Sequence, residues 1–145
     1  MTGRAGWFAA KLAATLAASS LAVLTACGSA STSISVEAPT KANDGAMLYM
    51  MIRNADKAVT AEGYQDAAAK LFGGEEADPQ ILSRQPIFPG RDVTVTLEET
   101  GPNGIVIYFF FTAPSGEWRV QLQKPLPSQV TIKLGAHEIE RTEKR

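Results

Sequence analysis

A single cysteine, Cys27, among 145 residues excludes any disulfide within the chain, so packing alone must hold the fold together. A single histidine, His137, excludes a metal site built from several imidazoles, and any Ser-His-Asp arrangement would have to use it. It lies between Ala136 and Glu138 near the C-terminus, the setting of a solvated side chain. There is no Gly-x-Ser-x-Gly elbow and no phosphate-binding glycine loop; Gly73-Gly74 follows a helical pattern rather than opening one. Basic runs are missing apart from Arg141, Lys144 and Arg145, so no nucleic-acid partner is expected. The acidic cluster Glu75, Glu76 and Asp78 lacks the twelve-residue ligand spacing of a calcium loop and reads as solvated. Nothing in this inventory argues for an enzyme, a metal, a cofactor or a small-molecule substrate.

What is present begins at the N-terminus. Residues 1–26 contain no acidic residue, only Arg4 and Lys11 as charges, and end in the uncharged run Leu12–Ala26. As a helix that run is about 22 Å long. A bilayer core is about 30 Å thick, so the layout is that of a secretory signal rather than a permanent span. The tetrad Leu24-Thr25-Ala26-Cys27 resembles a bacterial lipobox. That resemblance implies cleavage before Cys27, with a diacylglyceryl group on its sulfur and an acyl chain such as palmitate on the new amine. Two or more chains suffice for stable anchoring. Lipoproteins retained in the inner membrane often carry Asp after the cysteine; Gly28 stands there instead, which points to the outer membrane. The small, polar stretch Gly28 to Ser33 has the composition of a flexible tether. Fully extended, it reaches about 20 Å at most. The expected organisation is thus a signal peptide over 1–26, a lipidated cysteine and tether over 27–33, and one domain over 34–145.

After the tether the dominant period is two. Ile34 and Val36 alternate with serines, and Leu48, Met50 and Ile52 share one face of the apolar run Met47–Arg53. Val93, Val95 and Leu97 alternate with threonines; Trp118, Val120 and Leu122 with Arg119 and Gln121; Val130, Ile132 and Leu134 with Thr131 and Lys133. Ile105–Phe111 is apolar on both faces and reads as a central strand, and His137–Arg141 as a short last one. Gly101-Pro102-Asn103-Gly104 and Ala113-Pro114-Ser115-Gly116 are turn clusters. Strands at this spacing predict a β-sandwich. One segment departs from the pattern. From Ala61 to Phe72, Tyr64, Ala67, Ala68, Leu71 and Phe72 fall on one helical stripe, with Thr60 placed to cap it and Gly73 to end it. Ile81–Phe88 reads either as a strand or as a second short helix followed by an extended piece.

This order of elements, together with Ile87-Phe88-Pro89-Gly90-Arg91-Asp92-Val93-Thr94-Val95-Thr96-Leu97, Ile105–Phe111, Glu117-Trp118-Arg119-Val120 and Leu126–Ile132, resembles the TssJ family, the lipoproteins of the type VI secretion membrane complex. The resemblance spans the whole domain. It implies a transthyretin-like two-sheet sandwich with a helical insertion, lipid-anchored on the periplasmic face of the outer membrane. It also implies a partner: the periplasmic domain of a TssM-like inner-membrane protein, contacted through the loop between the first two strands. Here that loop includes Thr40, Lys41, Ala42, Asn43 and Asp44. A second reading from the residues alone is a generic envelope lipoprotein whose sandwich binds a ligand or cell-wall polymer. It would need a concave, polar-lined pocket.

Overall fold

Alternating apolar and small polar residues cannot bury one face of a single extended segment, so the strands assemble in two layers. In the computed structural model, which describes residues 30–73 and 78–145, eight strands form: β1 (Thr32–Glu37), β2 (Leu48–Asn54), β3 (Ile81–Ile87), β4 (Val93–Leu97), β5 (Ile105–Phe110), β6 (Arg119–Leu122), β7 (Gln129–Leu134) and β8 (Ile139–Lys144). One sheet has the order β4-β1-β7-β8 and the other β3-β2-β5-β6. Every pairing is antiparallel except β1 with β7, which is parallel. The expected two-sheet sandwich with a short helical insertion is therefore the observed fold. Cys27, the segment 1–26, and Glu75 and Glu76 of the acidic cluster lie outside the described residues.

The main core lies between the sheets. Ile34, Val36, Val130 and Ile132 from one layer meet Leu48, Met50, Ile52, Ile107 and Phe109 from the other, all buried. Each such side chain contributes about 1.5–3 kcal/mol by leaving water. The opposite face of β2 and β5 is also covered. Met51, Val106 and Tyr108 pack against Val59, Ala67 and Leu71 from the helical insertion, which lies on the outside of that sheet. This explains why β5 is apolar on both faces.

Three boundaries differ from the expectation, each for a local reason, and one of two open alternatives is settled. β1 opens at Thr32, so Thr32 and Ser33 belong to the sandwich rather than the tether; Thr32 is buried opposite Leu97. The insertion is a 3-10 turn, Val59–Ala61, followed by helix α1 (Tyr64–Phe72). Gly63 occupies the N-cap and has no side chain to cap with, while Thr60, the expected cap, lies in the 3-10 turn, where its carbonyl and those of Val59 and Glu62 accept from Arg119. Ile81–Ile87 is a strand, paired along β2 with a register shift at Ile52/Arg53. β8 starts at Ile139 because Gly135–Glu138 form its turn from β7, closed by the Gly135 N–H donating to the Glu138 carbonyl at 2.8 Å. Among the described residues no helix is long and apolar enough to cross a membrane.

Candidate functional site

The loop between β1 and β2 is built on residue types that tolerate unusual backbone angles. Asn43 (φ 47°), Asp44 (φ 54°) and Gly45 (φ 80°) are three consecutive residues in the left-handed region. Asn, Asp and Gly are the types that enter it at least cost. The reversed turn drives Asn43 inward, where it is 2% exposed. Its amide Nδ2 donates to the carbonyls of Ala46 (3.1 Å) and Met47 (3.2 Å) and lies 3.2 Å from Thr112 Oγ1. Its Oδ1 accepts the Thr112 backbone N–H at 2.8 Å, and its own N–H donates to the Gly135 carbonyl at 3.1 Å. The side chain thus ties the β1–β2 loop to the β5–β6 connection, and the backbone N–H of the same residue adds the β7–β8 connection.

Of the five loop residues singled out in the sequence, the structure turns Ala42 and Asn43 into the interior and leaves Thr40, Lys41 and Asp44 exposed. Thr40, Lys41, Asp44 and Gly45 line a shallow concavity with Ala136. Asp44 Oδ2 is 3.6 Å from His137 Nε2, an ion pair whenever the ring is protonated. The β3–β4 turn joins the same end: the Gly90 N–H donates to the Ala38 carbonyl (2.6 Å) and the Ala38 N–H to Asp92 Oδ1 (3.2 Å).

This end is opposite the start of β1. Thr32 pairs with Leu97, the Ser33 N–H donates to the Ser128 carbonyl (2.9 Å), and the Gly101 N–H donates to Asn54 Oδ1 (2.6 Å). The β4–β5 and β6–β7 connections therefore sit beside the N-terminal entry, and the β1–β2, β3–β4, β5–β6 and β7–β8 connections sit at the far end. The six and seven residues of β1 and β2 separate the two ends by about 20 Å.

On the outer face of the β3-β2-β5-β6 sheet, starting at the end of β2 beside the N-terminal entry, a charged clamp fixes the insertion. Arg53 on β2 is buried, with Nη2 at 3.0 Å from Asp56 and 3.2 Å from Asp78, and Nη1 at 3.5 Å from Glu62. The Tyr108 hydroxyl donates to Glu62 Oε2 at 2.5 Å, and Lys70 reaches the other oxygen from α1. Burial pushes the Glu62 carboxyl up, but the hydrogen bonds from Lys70 and Tyr108 outweigh it and hold the group below the usual carboxylate value. Burial and the bond to Glu62 push the Tyr108 phenol well above its ordinary value. Arg119 on β6 donates to the carbonyls of Val59 (2.7 Å) and Glu62 (2.8 Å) while lying 5.1 Å from the Trp118 ring centre. Apart from Arg53 and Asp56, three residues apart, the partners come from separate elements, so the pairing of β2 with β5 and of β5 with β6 is what assembles the clamp.

Residues 49–134 match the family model for IglE, N-terminal domain. The chain belongs to this family. No curated protein matches the family member described here by sequence. Solved structures share its fold. The type VI secretion lipoprotein TssJ1 from Pseudomonas aeruginosa superposes with a TM-score of 0.57 at 18% identity, over 79% of this chain and 95% of that one. Serratia marcescens Lip, a membrane-bound component of the type VI secretion system, gives 0.58 at 14% identity, over 80% and 98%. A chain from the structure of the type VI secretion protein TssM C-terminal domain from EAEC gives 0.57 at 16% identity, over 77% and 99%.

The space between the sheets of this family member is filled by buried side chains, so a ligand could enter there only by displacing the core.

Proposed function

We propose that the chain is the outer-membrane-anchored lipoprotein of a type VI secretion membrane complex. In this reading it has no catalytic duty. It is lipidated on Cys27, sits on the periplasmic face, and tethers a TssM-like inner-membrane protein through protein–protein contact. The observation that carries the reading is the polarity of the sandwich. The chain enters at one end, at Thr32, and the exposed loop residues Thr40, Lys41 and Asp44 stand at the other. A lipid attached before Thr32 leaves the opposite end free for a partner coming from across the periplasm. Membership in the IglE family and the shared fold of the secretion lipoproteins support the same reading.

The test is co-purification from the producing bacterium. Full-length chain recovered from solubilised envelopes should bring down the TssM-like protein. Cys27→Ser should leave the chain unlipidated and out of the outer-membrane fraction. Recovery of no secretion component, or unchanged fractionation and mass of Cys27→Ser, overturns the proposal.

A further inference from the structure

Three large apolar side chains stand exposed among the described residues: Met47 (42%), Phe72 (69%) and Phe88 (48%). They share one face and one end. Leu48 and Ile87 are paired across β2 and β3 and both point into the core, so Met47 and Phe88 form the next step of the same antiparallel register, just beyond it. Tyr49, facing away from the core beside Met47, meets Phe72 edge-on at 5.5 Å between ring centres and pairs with Pro86 in β3. An apolar strip therefore runs from the far-end loops to the last turn of α1.

The charges bordering this strip have one sign. Lys41 is exposed in the β1–β2 loop, Arg91 follows Phe88 with its N–H on the Phe88 carbonyl (3.0 Å), and Arg84 lies on the outer face of β3, donating to the Lys70 carbonyl (3.4 Å). The carboxylates of the same end lie in the loops rather than along the strip, Glu117 on the exposed β5–β6 connection among them. Asp44 faces His137, Asp92 accepts from Ala38, and Glu138 lies against Gly116.

We propose that this strip, Met47, Phe72 and Phe88 with its cationic border, is the docking surface for the protein partner, and that it accepts an apolar side chain flanked by carboxylates. The inference rests on the tethering function proposed above and deepens it. An apolar anchor inside a charged rim is the arrangement that concentrates binding energy in a protein interface, and the single sign of the rim selects an acidic partner and speeds its approach. Aromatic and cationic groups also suit a lipid surface, but the strip lies at the end of the sandwich remote from the residues leading to the anchor, which favours a protein.

The experiment uses the full-length, tagged chain in its own envelope, with the co-purified TssM-like protein quantified. The double variant Met47→Glu, Phe88→Glu should reduce recovery at least tenfold, and Arg91→Glu severalfold, with wild-type amounts of chain in the membrane fraction and wild-type resistance to protease. Glu98→Lys, on the exposed loop at the opposite end, should leave recovery unchanged. If the wild type recovers no TssM-like protein, the functional reading and this inference fall together. If the wild type recovers it and the double variant does so equally, the inference alone falls. It also falls if Glu98→Lys is as damaging as the double variant, or if the strip variants abolish binding to phosphatidylethanolamine–phosphatidylglycerol vesicles while recovery of the protein stays intact.

Discussion

Replacing Asn43 by Ala removes the side chain that joins the β1–β2 loop to the β5–β6 connection at the far end. The Thr112 N–H loses its acceptor, and the carbonyls of Ala46 and Met47 lose a shared donor. Three hydrogen bonds' worth of interaction at about 1 kcal/mol each gives ~3 kcal/mol. Holding alanine at φ 47° adds about 1 kcal/mol. The expected loss is ~4 kcal/mol, a large part of the roughly 5–15 kcal/mol that a domain of this kind has in total. With a urea m-value of about 2 kcal/mol/M the midpoint should fall by ~2 M. Asn43→Asp separates the two contributions. Aspartate tolerates the left-handed backbone and keeps an acceptor for Thr112, but it turns an oxygen towards two carbonyls where the amide had donated. If the hydrogen bonds matter most, Asn43→Asp costs at least ~2 kcal/mol at neutral pH. An Asp variant within about 0.5 kcal/mol of wild type would show that backbone tolerance alone selects this residue, and would refute the hydrogen-bond argument.

The clamp around Glu62 makes stability sensitive to acid. Its carboxyl lies below the unfolded value of 4.5, so the stability it contributes is present above that pH and is lost as pH falls through the folded value; Glu62→Gln should flatten this acid limb in urea titrations from pH 6 to 3. Tyr108 runs the other way: its raised phenol favours the folded state below pH 10 and loses that contribution as pH rises further, so Tyr108→Phe should flatten the alkaline limb. Arg53→Ala leaves Glu62 and Asp78 without their buried cation and should cost about 3–5 kcal/mol by the same assay. Gly104→Ala would place a methyl group 2.0 Å from the Leu122 carbonyl at φ +85° and should prevent accumulation of folded protein, which soluble yield and circular dichroism would register.

The strands were legible because a half-buried sheet imposes a period of two, and β1, β4, β6 and β7 carry it cleanly. Residues whose roles depend on distant partners were not. Arg53 closes an apolar run and reads as the polar end of a strand, yet the β2–β5 pairing puts it near Tyr108, and the insertion brings Glu62 over both. Phe72 continues the apolar stripe of α1, but the helix rests on Ala67 and Leu71 and its last turn overhangs the sheet, leaving the ring exposed. The β1–β2 loop residues are marked as contact residues only by the resemblance to the TssJ family. The loop's turn hand, which decides that Asn43 faces inward and Lys41 outward, depends on Thr112 and Gly135, some 70 and 90 residues away. Met47 and Phe88 each look like strand-edge residues until the register makes them neighbours.

The placement of β1 has a mechanical consequence. It is an inner strand, with β4 antiparallel on one side and β7 parallel on the other. A pull arriving at Thr32 and resisted at the far loops runs along β1, so it loads both ladders in shear at once rather than opening one bond at a time. The domain is thus built to carry tension between its two ends without unzipping.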